Sequence, residues 1–340
     1  VTCLNRRQAP VVETNLQATL DGATGHYSAT TDPIAALDGS EIVFVVVPTP
    51  SLVDQTFSTL YAEETAKIIG TVMASQPAPN KYRLIVMVST LMPEAMQTIF
   101  IPELEKWSRQ TCNVEFGVAY NPEFIALGSV LYNMRYPDFL LIGQSDEKAG
   151  KTLEGFYVDL YEDRLHLNCP PVRRMSLVNA EMTKLAINAY LTMKIGYGNQ
   201  LAGLCEQVPN ADAVVVAEAV GCDSRIGPKC LRPATMHGGP CLPRDARALI
   251  ALGKRLNVDV PLAHAADRVN RDWIERTTQL IERLKPKKIA VLGLTYKPHT
   301  HVVEEAAGIH LLRSLGHRLA SIERHAYDPS ADHGDAVMSL

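Results

Sequence analysis

Residues 42–47, Ile-Val-Phe-Val-Val-Val, form an unbroken apolar run. Such a run, without polar alternation, fits a strand buried on both faces of a parallel sheet. Pro48-Thr49-Pro50 stops it. A helix is predicted over about 58–73, with Tyr61, Ile68 and Val72 on its apolar face. A second strand over 81–88 ends in Ser89-Thr90, a natural capping pair. Pro93 and Glu94 then open a helix that runs to about Trp107. Further strands are predicted over 114–119 and 139–142, the latter followed by a helix over 146–160. Strand, loop and helix alternating at this spacing predict a doubly wound α/β sheet. From 178 to about 207 the pattern is helical and free of proline, longer than a typical globular helix. Helical character continues over 211–220 and returns over 245–256, after a rigid loop at Gly238–Pro243. A second α/β unit opens with a strand over 288–293. Its helix covers 304–315, and its next strand ends at Tyr327-Asp328-Pro329.

The 340 residues suit about two domains. With 46% hydrophobic and 21% charged residues the composition is that of a folded protein, which excludes wholesale disorder. A net charge of −4 supplies no drive toward nucleic acid or anionic membrane. No apolar run is long enough to span a bilayer, and no signal peptide is evident at Val1. The seven cysteines are odd in number and contain no Cys-x-x-Cys pair. They predict a reducing, cytoplasmic setting rather than a disulfide framework or a zinc site.

Several residues could carry chemistry. Lys184 and Asn188 lie four apart on the long helix, hence on one face, and Asn199 follows about three turns on. Without other support such a row reads as a solvated polar stripe. Cys241 follows Gly238-Gly239 and precedes Leu242-Pro243-Arg244-Asp245. Glycines let backbone approach a ligand closely, and basic neighbours such as Arg244 and Lys184 would stabilise a thiolate. A buried structural cysteine is the alternative. Thr90 and Glu123 sit just past the carboxyl ends of two predicted strands, where ligands of open α/β sheets bind. Each could equally serve a helix end.

Ordered blocks then bring in a family. Glu181-Met-Thr-Lys184-Leu-Ala-Ile-Asn188-Ala-Tyr resembles the central helix of the UDP-glucose/GDP-mannose dehydrogenase family. Asp223-Ser-Arg225-Ile-Gly227 and Gly238-Gly-Pro-Cys241-Leu-Pro-Arg-Asp245 resemble its nucleophile segment. Val47-Pro-Thr-Pro50, Ser89-Thr90, Asn121-Pro-Glu123-Phe124 and Gly293-Leu-Thr-Tyr-Lys297-Pro298 resemble its other blocks, in the same order. The similarity spans nearly the whole chain, and Arg225-Ile-Gly227 looks more like the UDP-glucose enzymes.

The resemblance implies a Rossmann-like NAD-binding domain over 1–160, a central helical domain for dimerisation and catalysis over 175–275, and a partial UDP-sugar-binding Rossmann-like domain over 285–340. It implies oxidation of a sugar C6 hydroxyl to a carboxylate with two NAD+, through a thiohemiacetal and then a thioester on Cys241. Lys184 and Asn188 would stabilise oxyanions. Glu123 would be the base of thioester hydrolysis, with Thr90 and Asp245 placing water. Pro48, Thr90 and Arg244 would lie near NAD. The nucleotide-sugar substrate would be bound by Glu123, Phe124, Lys184, Asn188, Arg232, Gly238, Tyr296 and Lys297. Arg225 would reach the sugar of a neighbouring subunit in a homodimer formed through the 178–207 helix.

The chain also departs from the family. The expected opening strand and Gly-x-Gly-x-x-Gly turn occur nowhere in the 340 residues. An incomplete first βαβ unit and a shortened last domain are therefore expected. Leu127 stands in place of a glutamate, Glu304 in place of an arginine near NAD, His301 and Val302 in place of two acids, and His237 in place of an aromatic. UDP-glucose is the expected substrate, with GDP-mannose and UDP-N-acetylmannosamine as alternatives. A non-catalytic remnant that still dimerises or binds a nucleotide sugar is the competing function, and a hydroxyacid dehydrogenase is weaker still.

Overall fold

The computed structural model describes residues 1–23, 25–75 and 82–330. Lys81, at the start of the second expected strand, and residues 331–340 of the last expected domain lie outside the described residues. The chain divides into two compact units, Val1–Lys184 and Leu185–Leu340.

The first unit is a five-stranded sheet in sequential order: β1 (Ile42–Val45), β2 (Arg83–Met87), β3 (Phe116–Tyr120), β4 (Leu140–Gln144) and β5 (Val172–Ser176). β1, β2 and β3 are mutually parallel, as are β4 and β5. The β3–β4 pair runs antiparallel, so the expected parallel sheet is interrupted at one place. Every residue of β2 is buried because both its faces are covered. Ile85 and Met87 pack with Ala66, Ile69 and Met73 of helix α1 (Leu60–Ser75) and Leu104 of α2 (Ile101–Ser108). Leu84 and Val86 face the other way, toward Ala149, Leu153 and Tyr157 of α3 (Glu147–Val158). Helices on both faces make the sheet doubly wound and Rossmann-like.

Three sequence expectations are corrected here. β1 is an edge strand among the described residues, and Phe44 and Val46 are exposed rather than buried on both faces. An apolar run gives no information about its place in the sheet order. On α1, Val72 is buried as expected, but Tyr61 and Ile68 face solvent, and the buried face also carries Ala62, Ala66, Ile69 and Met73. Thr90 does not cap a helix. Glu94 takes a left-handed φ of +78°, and regular helical structure begins only at Met96, as a π-turn over Met96–Phe100 that leads into α2.

The boundary between the units falls inside helix α4 (Leu177–Cys205), 29 residues long. The second unit continues with α5 (Ala213–Gly221), capped by the Asp212 carboxylate, then α6 (Leu242–Leu256) and α7 (Pro261–Leu284). It closes with β6 (Lys288–Leu292), α8 (Ala307–Arg318) and β7 (Glu323–Tyr327), whose two strands are parallel. Ile281, Val291, Leu294, Ile309, Leu312 and Leu315 form its core. Helix α8 begins three residues later than expected, after a loop over 293–306.

Candidate functional site

In the first unit, the carboxyl ends of β1, β2 and β3 share one edge because these strands are parallel. The Ser89 hydroxyl joins two of them: it accepts from the Val47 N–H and donates to the Val47 carbonyl, each at 2.7 Å. Pro48 is exposed next to this junction and Thr90 is half-buried just past it. From the end of β3, Asn121 is buried and donates to the Leu141 carbonyl at 2.8 Å, while its side-chain oxygen accepts from the Tyr157 hydroxyl. This fixes the path of Pro122-Glu123-Phe124.

Lys184 of α4 is buried. Its Nζ donates to the Glu123 main-chain carbonyl at 2.7 Å and lies 4.6 Å from the centre of the Phe124 ring. Burial pushes the Glu123 carboxyl above its ordinary value, and the Lys184 charge opposes that shift. Glu123, Phe124 and Lys184 are thus brought together. Leu127 is half-buried further along the same loop.

Glu181 lies one turn before Lys184 on α4, and its sequence motif points to no role for it. Its carboxylate is fully buried and accepts from the N–H groups of Glu94 at 2.8 Å and Met96 at 2.9 Å. The Glu181 carboxylate thus satisfies N–H groups at the start of this helical segment, which have no acceptor within it. Burial pushes the Glu181 carboxyl up to about 7, against the pull of those two N–H groups. A carboxyl whose folded-state value is raised contributes stability below its unfolded value and loses it as pH rises through the folded one. Between about pH 4.5 and 7, wild type should therefore lose up to roughly 3 kcal/mol that Glu181→Gln does not lose. Thermal melts at several pH values read the difference; parallel curves would contradict it.

In the second unit, Asn188 donates to the Asp245 carboxylate at 2.6 Å, and both groups are buried. Arg244 pairs with the other Asp245 oxygen at 3.1 Å. The row Lys184, Asn188, Thr192 and Asn199 is buried rather than a solvated stripe. Cys241 is exposed at the N-cap of α6. Its glycines make room for the protein's own chain. A Cβ on Gly238 would stand 2.2 Å from the Glu305 carbonyl, and one on Gly239 (φ +84°) 2.5 Å from the Tyr296 ring. Gly238→Ala is expected to cost about 1–3 kcal/mol, read as a lower urea midpoint. An unchanged midpoint would show that the loop yields freely.

Tyr296 and Lys297 line a cleft of about 660 Å³ past the carboxyl end of β6, together with Thr295, Trp273 and Asp328. Against the effect of burial, the N–H groups of Thr295, Ser330 and Leu294 hold the Asp328 carboxyl at about 2. Arg225 is exposed and forms a bidentate pair with Asp223 at 3.0 and 2.7 Å. Arg232 is exposed. His237 is buried, and burial lowers its imidazole to about 4. Glu304 is exposed, and its carbonyl accepts the Gly239 N–H at 3.0 Å. His301 and Val302 are half-buried in the same loop.

Residues 1–161 match the NAD-binding domain of the UDP-glucose/GDP-mannose dehydrogenase family, and residues 178–272 match its central domain. The UDP-glucose 6-dehydrogenase AglM of Haloferax volcanii is 32% identical over 335 residues, covering 97% of this chain and 76% of that protein. The chain belongs to this family of NAD-dependent dehydrogenases. A GDP-mannose 6-dehydrogenase of Pseudomonas syringae is 29% identical, covering 93% and 70% respectively. The structure of a UDP-glucose dehydrogenase from Pyrobaculum islandicum superposes with a TM-score of 0.87 at 29% identity, covering 99% of this chain and 77% of that one. Among the described residues no helix is long and apolar enough to cross a membrane.

The carboxyl edge of β1–β3 fits part of a dinucleotide site. The Ser89 hydroxyl holds the ends of β1 and β2 side by side, with Pro48 and Thr90 at the rim. A glycine-rich pyrophosphate turn is not among the 340 residues.

Proposed function

We propose that this dehydrogenase oxidises UDP-glucose at C6 to the uronic acid, in two two-electron stages, with Cys241 as the covalent nucleophile. The observation that carries the proposal is the setting of Cys241. It is exposed at the N-cap of α6, where helix N–H groups favour an anion, and Asp245 one turn on is locked to Asn188. Bound NAD+ would supply the hydride acceptor for each stage.

The aldehyde left by the first stage is attacked by the Cys241 thiolate. A carbon–sulfur bond forms and the carbonyl oxygen takes a proton, giving a thiohemiacetal. After the second stage the sugar is a thioester. Water then adds at the acyl carbon, the carbon–sulfur bond breaks, and the acid leaves with the thiol restored. Lys184 and Asn188 stabilise the developing oxyanions. Glu123 accepts the proton of the attacking water, which its raised carboxyl suits. Thr90 and Asp245 place that water. Pro48, Thr90 and Arg244 hold NAD. Phe124, Arg232, Gly238, Tyr296 and Lys297 hold the nucleotide sugar, and Arg225 acts across a homodimer formed through the 178–207 helix. The cysteine usage supports a cytoplasmic setting.

Titrating limiting UDP-glucose with excess NAD+ tests this. Two NADH per sugar are expected, with GDP-mannose and UDP-N-acetylmannosamine as weaker substrates. One NADH per sugar, or none with the sugar still bound, would overturn it.

A further inference from the structure

Residues 232–241 carry no helix or strand, yet Met236 and His237 are buried. Buried backbone N–H and C=O groups in such a segment need partners from elsewhere. Two asparagines supply them. Asn199 of α4 accepts from the Ala234 N–H at 3.0 Å and donates to the Thr235 carbonyl at 3.1 Å. Asn270 of α7 accepts from the His237 N–H at 2.7 Å and donates to the His237 carbonyl at 2.9 Å. Both asparagines are themselves buried, with 5% and 2% exposure.

The second pattern is that of a strand residue that exchanges both its hydrogen bonds with a partner. Only a side chain holding a donor and an acceptor side by side can provide it, which a leucine or a carboxylate cannot. Asn188 and Asn199 are eleven residues apart, three helical turns, so both lie on one face of α4. One binds Asp245 after Cys241 and the other binds residues 234 and 235 before it. The Gly239 N–H adds a third anchor on the Glu304 carbonyl, at 3.0 Å.

We infer that Asn199 and Asn270 are positioning residues: their amides act as strand partners along 234–237 and set the path by which the chain delivers Cys241 to the substrate. This rests on Cys241 being the nucleophile. Cys241→Ser tests that reading separately, because amide exchange in the 234–237 segment is measured without turnover.

The test is made on the full chain with Asn199→Leu and Asn270→Leu. In each variant kcat is expected to fall on the order of 10- to 100-fold. KM for UDP-glucose should stay within about threefold. Iodoacetamide should label Cys241 roughly fivefold or more slowly, as the thiol leaves the helix N-terminus. Loss of melting temperature alone, with kcat and Cys241 labelling both within about twofold of wild type, would overturn the proposal. Should neither variant fold, hydrogen exchange in the wild type decides. The Ala234 and His237 amides are expected to be protected at least roughly 100-fold over unstructured chain, and exchange at the unstructured rate would overturn it.

Discussion

Cys241→Ser is expected to leave the protein folded and to abolish the acid product. The side chain is exposed, so the exchange of sulfur for oxygen should shift stability by less than about 0.5 kcal/mol. The chemical effect is far larger. A hydroxyl at neutral pH is almost wholly protonated and a weak nucleophile, whereas a thiol at a helix N-terminus has a ready anionic form. Acid formation should fall on the order of a thousandfold or more, and what NADH still forms should accompany free aldehyde. Product analysis by mass spectrometry reads this directly. Acid formed at the wild-type rate would assign the covalent step to another group, or to none.

Glu123→Gln should separate the two halves of the reaction. The amide keeps the shape of the side chain and cannot take a proton. Thioester hydrolysis is expected to slow by about 10²- to 10⁴-fold, while the oxidations remain fast. The signature is a burst of NADH followed by a slow steady state. The pH profile should change with it. Burial raises the Glu123 carboxyl, and only the deprotonated form accepts a proton. Wild-type kcat should therefore climb with pH through that raised value, and the climb should vanish in Glu123→Gln. A variant without a burst, or one that retains the limb, would remove Glu123 from this role.

The apolar runs of the first unit made its α/β class legible, because a strand covered on both faces, as β2 is, shows a continuous apolar stretch, here Leu84–Met87 after the buried Arg83. The same rule misplaced β1, since an edge strand can be equally apolar. Helix α7 escaped the pattern altogether. Its buried positions are Ala263, Ala266, Asn270, Thr278 and Ile281, mostly small or polar, so no apolar stripe shows. β5, Val-Arg-Arg-Met-Ser, was hidden by its arginines.

For the candidate site, the spacing of Lys184 and Asn188 was legible and their burial was not. Burial depends on Glu123 and Asp245, which lie about 60 residues away in sequence. Thr90 looked like a cap because the Glu181 carboxylate that holds the N–H groups of Glu94 and Met96 comes 87 and 85 residues later. Asn270 carried no local signal, since its partner is a loop backbone 33 residues earlier. Short-range signals located the elements and the motifs; contacts across the sequence determined which polar groups are buried and paired.

The proposed reaction requires an acyl group carried by one sulfur. Glu123→Gln mixed with UDP-glucose and excess NAD+, quenched in acid and digested, should yield a peptide containing Cys241 that bears the mass of a nucleotide-sugar acyl group and loses it to hydroxylamine. The same sample with no adduct despite an NADH burst, or with the adduct on another of the seven cysteines, would contradict the account.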